Sequence, residues 1–274
     1  MNETSSVYPA VLTIAGFDPS GGAGIQADLL TFASMGAHGC AAVTAVTVQD
    51  TANVKGYISL DPNDVAAQAR SVLEDIPVQA IKLGMLGSVG VVEAVAVLLN
   101  DYPNLPVVLD PVLRAGGGGS LAEDGVLDAI LNLLLPRSTL VTPNGIEARL
   151  LAPTADSLEA CGHELMSLGA DYVLITGGHE ATPTLDNLLF HDQQLLERFS
   201  QERLPGNYHG SGCTLSAAAT AALAHGLDVL NAVEEALAFT HQAIRFAYRP
   251  GLGQMVPDRL FWAREGFDAE EGLQ

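Results

Sequence analysis

The chain has 274 residues, of which 48% are hydrophobic and 16% charged, and its 32 Asp and Glu against 12 Lys and Arg give a formal charge of −20. That length and apolar content suit one large α/β domain with a sizeable core, and so negative a chain is a poor partner for nucleic acid or an anionic membrane. No apolar run reaches the about 18 residues of a membrane span, the opening MNETSSVYP lacks the pattern of a secretory signal, and Cys40, Cys161 and Cys213 make neither a disulfide framework nor a zinc site, which fits a reducing cytoplasm.

In chain order, strands are predicted over 10–16, 40–48, 79–84, 106–110, 138–143 and 171–177. Several are continuous apolar runs, as expected of parallel strands covered on both faces. Helices are predicted over 24–36, 61–74, 89–100, 124–134, 144–151, 157–169, 212–225 and 229–248, with Asp61-Pro62 as an N-cap and first-turn proline. Residues 185–204 read as a hairpin, and the acidic end 265–274 as a loose tail on a single domain spanning 1–274. Repeated β–α alternation implies a mostly parallel sheet with helices on both sides. The acidity has two readings, simple solubility or a salty cytoplasm that screens self-repulsion.

In such a sheet ligands bind at the carboxyl ends of the strands. There this chain carries GFDPSGGAG, QDT, GMLGS, DPVLRAGGGGS, TPNGIE and TGGHE, six loops able to face one cleft. The most informative segment comes later: His209-Gly210-Ser211-Gly212-Cys213-Thr214 runs into an alanine-rich helix. A glycine turn opening a helix aims unpaired N–H groups at one point and adds the positive end of the helix dipole, which suits a phosphate. A thiol on that first turn is expected to have a lowered pKa. Arg114 with the glycines 116–119 is either a flexible surface loop or a lid with Arg114 as a charge clamp. Asn144 and Glu147 read as a capping box or as oxygens for a hydrated magnesium ion. Gly22-Ala23-Gly24-Ile25-Gln26-Ala27 matches a loose dinucleotide fingerprint, but too far beyond its strand, and no ribose-binding acid follows. No P-loop motif is present.

The order of the motifs TIAGFDPSGGAGIQAD (13–28), TAVTVQDT (44–51), IKLGMLGS (81–88), VVLDPV (107–112), TPNGIEA (142–148), GGH (177–179) and HGSGCTLSAA (209–218) resembles the ribokinase-like superfamily, and within it the hydroxymethylpyrimidine/phosphomethylpyrimidine kinases. The resemblance implies a three-layer α/β/α sandwich, ATP and Mg²⁺ as cofactors, and a homodimer. It implies that Gln49 reads the aminopyrimidine, whose amino group and ring nitrogen a carboxamide complements, with Asp28, Gly16 and Met85 lining the pocket. Cys213 falls where most relatives in the superfamily have an aspartate base, and Gly210, Ser211, Gly212 and Cys213 form the anion hole. Thr176, Gly178, His179 and Arg114 belong to the nucleotide side, and Asn144 and Glu147 hold Mg²⁺ through water. Two departures remove positive charge near ATP: Thr176 stands where many relatives have lysine, and Ala115-Gly116-Gly117-Gly118 replaces A-K-S-G. A pyridoxal kinase of the same superfamily is the nearest alternative. A non-catalytic vitamin-binding module would require a broken glycine turn, and this one is intact.

Overall fold

The computed structural model describes residues 8–113, 123–180 and 182–264, so the glycine-rich stretch 114–120 and the acidic end 265–274 lie outside the described residues. Among the described residues the central sheet has nine strands, in the order β3 (Val54–Ser59), β2 (His38–Gln49), β1 (Ala10–Phe17), β4 (Val78–Leu83), β5 (Val107–Leu109), β6 (Leu140–Val141), β7 (Tyr172–Ile175), β8 (Thr184–His191) and β9 (Gln194–Glu202). β1, β2, β4, β5, β6 and β7 run parallel. The expected sheet is therefore present, although the strands near 108 and 140 are shorter than their apolar runs because their ends turn into loops.

Burial explains why these strands look uniformly apolar. Along β5 and β7, Val107, Leu109, Val173 and Ile175 enter one core, while Val108 and Leu174 enter the opposite one. Successive side chains of a strand point to opposite faces, so a sheet covered on both sides needs apolar residues at every position. The first layer holds α2 (Pro62–Asp75), α3 (Val89–Asn100), α4 (Val126–Ala129, continuing through a π-helical turn, Ile130–Leu134), α5 (Gly145–Leu151) and α6 (Leu158–Ser167). The second holds α1 (Gly24–Ser34), α7 (Ser211–Ala224) and α8 (Val229–Arg245). In α7 every residue from Thr214 to Ala224 is buried. Alanine there lets the helix lie close to both α1 and the sheet.

β8 (Thr184–His191) and β9 (Gln194–Glu202) form the expected hairpin, turning at Asp192 and Gln193, which both have positive φ. Two such residues make the mirror-image turn that matches strand twist. β3 (Val54–Ser59), antiparallel to β2 at the sheet edge, is not among the predicted strands. Its residues are half-buried or exposed, so its sequence carries little apolar signal.

Phe190 of β8 is fully buried, with its ring against Gly162 of α6, where an added Cβ would lie 2.6 Å from the ring. Phe190→Ala is expected to lower stability by about 3–5 kcal/mol through lost burial and a cavity, read by equilibrium urea denaturation. A loss under about 1 kcal/mol would mean that α6 collapses onto the hairpin without this ring.

Candidate active site

The loop after β1 is shaped around Asp18. Its Oδ1 accepts from Ser20 N–H and Oγ, at 2.8 and 2.7 Å, and its Oδ2 from Ala23 N–H and His209 Nε2, at 2.8 and 2.9 Å. Burial works against ionisation of Asp18, but these bonds outweigh it and hold the carboxyl well below the usual range. The loop then turns into α1 through Gly24, at φ 60°, where a Cβ would meet the Gly16 carbonyl at 2.3 Å. Gly16 in turn lies against Met85, whose sulfur would sit 3.1 Å from an added Cβ. Met85 is buried with Ala45 beside Val54, Tyr57 and Val112. Gly16 and Met85 thus pack against each other, and Gln49 stands half-buried at the end of β2.

Beneath this loop lies a charged cluster. The Lys82 ammonium on β4 is fully buried and donates to both oxygens of Asp28 on α1, at 3.1 and 3.0 Å. Thr13 Oγ1 donates to Asp28 at 2.7 Å. Asp110, just past β5, lies 3.8 Å from the same ammonium and accepts from Ser216 Oγ at 3.1 Å and from the Cys213 thiol. Burial penalises the ammonium, but Asp28, Cys213 and Asp110 outweigh that and raise its pKa. Burial pushes Asp110 up, against the pull of Lys82. Asp28 was expected to line the pocket; it is fully enclosed instead, as the counter-ion of Lys82.

Cys213 sits on the first turn of α7 as expected, and the Gly24 N–H donates to its sulfur. The expected fall in its pKa is not borne out. Burial pushes the thiol up to about 12, the Lys82 ammonium pulls the other way, and Asp110 and Asp28 add to the rise. A helix terminus lowers a thiol pKa only where nearby carboxylates do not offset it. The turn itself is shaped for a ligand. No side chain caps α7, Gly210 has φ 82°, and an added Cβ at Gly210 would meet the Gly22 carbonyl at 1.9 Å. Open space stands where a Gly212 side chain would be.

Asn144 and Glu147 form the capping box of α5: Asn144 Oδ1 accepts from Ile146 and Glu147 N–H, and Glu147 Oε2 accepts from Asn144 N–H at 3.0 Å. Glu147 is buried; that and the Asp110 charge push its carboxyl up to about 8, against the Asn144 bonds. Thr176 adjoins this turn, donating its N–H to Pro143 O at 3.0 Å while its carbonyl accepts from Gly145 N–H. Gly178 is exposed with open space around it, and His179 ends the same short 3-10 turn. Arg114 lies outside the described residues.

The structure therefore gathers Gly16, Met85, Gly24, Cys213, Asp110 and Asp28 at one end of the sheet, and joins Asn144, Glu147 and Thr176 beside them. Sequence reasoning missed Lys82, Asp110, Asp18, His209, Arg203 and Arg259. Arg203 binds the carbonyls of Gly177, Gly178, Glu180 and Thr182 at 2.8–3.0 Å, fixing the GGH turn from behind. Lys82 had a signal: a lysine inside a run destined to be covered on both faces needs a buried partner.

Comparison with known proteins agrees with this arrangement. Residues 18–258 match the family described as phosphomethylpyrimidine kinase. The chain is 43% identical over 260 residues to a hydroxymethylpyrimidine/phosphomethylpyrimidine kinase of Mycobacterium tuberculosis, covering 92% of this chain and 94% of that protein. Among solved structures it is similar to the phosphomethylpyrimidine kinase of Clostridium difficile (TM-score 0.75, 32% identity, 86% of this chain and 99% of that one). It is also similar to the pyridoxal kinase of Staphylococcus aureus in complex with AMP-PCP and pyridoxal (TM-score 0.85, 30% identity, 94% and 96%). With its ribokinase-like fold and its motifs in register, the chain belongs to the phosphomethylpyrimidine kinase family.

Proposed function

We propose that this protein transfers the γ-phosphoryl group of ATP to the hydroxymethyl oxygen of 4-amino-5-hydroxymethyl-2-methylpyrimidine, and then phosphorylates the monophosphate, in thiamine biosynthesis. The observation that carries this reading is the setting of Cys213. It stands on an uncapped helix terminus with open space at Gly212, and its sulfur meets the Gly24 N–H of the loop that packs on the Gly16–Met85 wall. Phosphoryl transfer asks a protein chiefly for positioning and for donors aimed at developing charge. The N–H groups of the turn from Gly210 to Cys213 supply them, Gln49 reads the pyrimidine, and the nucleotide lies on the side of Thr176, Gly178, His179 and Arg114.

Mg²⁺ fits the donor set. Burial and the Asp110 charge make the Glu147 carboxyl harder to ionise, so a divalent cation held through water by Asn144 and Glu147 would relieve that penalty. When bound it neutralises phosphate charge. Cys213 keeps its proton in the resting protein, so it acts as a relay rather than as a standing thiolate. Sγ takes the substrate hydroxyl proton as the thiol proton passes to the Asp110 carboxylate, and Lys82 balances the charge. The second step uses an already ionised phosphate oxygen and needs no base. The three cysteines are free, which suits a reducing cytoplasm.

Pyridoxal kinase is the second reading, favoured by the likeness in fold to the Staphylococcus aureus enzyme at a TM-score of 0.85. The pyrimidine reading stands ahead of it because the pyrimidine kinase of Mycobacterium tuberculosis is 43% identical, against 30% for that pyridoxal kinase. A homodimer also fits the sheet edge, where Val46 and Ile58 pair across β2 and β3 and, with Val48, are 40%, 67% and 55% exposed. Apolar residues on an open edge invite a partner.

A coupled ADP-release assay with ATP and the pyrimidine alcohol, its monophosphate or pyridoxal is expected to give turnover with both pyrimidines. Turnover with pyridoxal alone would establish the second reading, and none with any of the three would end the kinase assignment. Cys213→Ala is expected to slow the first step by about 10² to 10⁴-fold while the second stays within about tenfold. Equal losses in both steps would remove the relay. In sedimentation velocity the wild type is expected as a dimer and Ile58→Glu as a monomer; a monomeric wild type refutes the edge interface.

A further inference from the structure

A kinase with Thr176 in place of lysine still has to gather phosphate charge, and the structure holds a cation on the inner side of the glycine turn. Arg259 is 3% exposed. It arrives on a segment that runs under the site: Gln254 N–H donates to Thr51 O at 2.8 Å, His209 N–H to Met255 O at 2.8 Å and Asp258 N–H to Ala243 O at 2.8 Å. Its Nε donates to Thr214 Oγ1 at 3.0 Å and its Nη2 to Gly22 O at 2.5 Å, with Gly210 O at 3.5 Å. Thr214 Oγ1 donates in turn to Gly210 O at 2.8 Å.

These bonds set the direction of two peptide units. Because the peptide is planar and trans, a carbonyl turned inward sends the N–H of the next residue the opposite way. With the Gly22 carbonyl on Arg259, the Ala23 N–H reaches Asp18 Oδ2 at 2.8 Å. The Gly210 carbonyl accepts the first helical bond of α7, from Thr214 N–H at 2.9 Å, and Thr214 Oγ1 and Arg259 add to that bond, so the Ser211 N–H faces outward at the start of α7. The guanidinium lies directly behind these donors in an enclosed region, where its field is weakly screened. The two glycines that let Gly22 and Gly210 touch are what bring both carbonyls within its reach.

We propose that Arg259 is the positioning residue of the phosphate site: it fastens the Gly22 carbonyl of the first loop to the first turn of α7 and supplies, from behind, positive potential to the N–H groups of Ser211, Gly212 and Cys213. The inference rests on the kinase reading above and deepens it, since it names the cation that serves where a lysine is missing.

The test combines steady-state kinetics of Arg259→Lys, Arg259→Gln and Arg259→Ala with AMP-PCP affinity by calorimetry and melting temperature by circular dichroism. Arg259→Gln is expected to lose about tenfold or more in kcat while the KM for the pyrimidine changes little, with Arg259→Lys in between. Guanidinium chloride, below unfolding concentrations, is expected to restore part of the kcat of Arg259→Ala and none in the wild type. A lower melting temperature with kcat per folded molecule within about twofold of wild type, and no guanidinium effect, would overturn the proposal. If Gln and Ala variants fail to fold, Arg259→Lys decides: unchanged kcat and AMP-PCP affinity overturn it, and a fall in either supports it. A wild type inactive on both pyrimidines defeats the pyrimidine-kinase reading instead, and the AMP-PCP affinities then still show whether Arg259 serves a phosphate site.

Discussion

The buried pair of Lys82 and Asp28 is the constraint around which the site is arranged. It joins β4 to α1 in the middle of the sheet, with Thr13 of β1 on one side and Asp110, just past β5, on the other. Burying an ammonium and a carboxylate costs several kcal/mol per ion before their attraction returns anything, so such a pair adds little net stability. What it does is fix geometry. Lys82 needs both Asp28 oxygens and a second carboxylate nearby, and those come from two different places, α1 and the segment just past β5, which flank the ligand loops. An added Cβ at Gly84 would lie 2.8 Å from Nζ, so even the loop after β4 is shaped by this ammonium.

The same cluster decides the chemistry of Cys213. Read alone, a cysteine on the first turn of a helix suggests a thiolate. Buried against Asp110 and Asp28, with Lys82 and the Gly24 N–H in opposition, the thiol is pushed toward its protonated form. The proton's exit is then as important as its acceptor, and Asp110, hydrogen-bonded to the thiol and to Ser216, is the neighbouring group able to take it. On the proposed reading, a cysteine in place of an aspartate moves the carboxylate one step further from the substrate and keeps it in the path.

Much of the fold was legible because both faces of the sheet are covered, which makes the strands read as unbroken apolar runs, and because alanine marks the closely packed α7. β3 was illegible for the converse reason: VKGYIS lies on an edge and buries little. At the site, the Gly16 and Met85 wall, the Cys213 turn and the Asn144–Thr176 neighbourhood follow from motifs that lie in loops. Arg259 could not be read, since nothing local to it distinguishes a surface arginine from one that the chain folds beneath a turn 49 residues earlier. The surroundings of Asp28 could not be read from the sequence, because a helical carboxylate one turn beyond a ligand loop can face the cleft or the core; in the fold it is enclosed against the fully buried Lys82.

The distribution of cations also bears on how so acidic a protein handles a polyphosphate. Lys82, Arg203 and Arg259 are engaged by carboxylates, a hydroxyl or backbone carbonyls. Arg203 and Arg259 act on peptide units whose N–H groups face the other way, so charge reaches the ligand through the backbone. A lysine projecting into the cleft would attract free anions of every kind. Cations set behind glycine turns act mainly at the few positions where N–H groups converge, while Glu147, which tends to hold its proton when no cation is near, ionises once a metal arrives to compensate it. On the proposed reading this favours the metal–nucleotide complex over free nucleotide or phosphate: the buried carboxyls demand the divalent cation, and the arginine-backed turns accept the phosphates it brings.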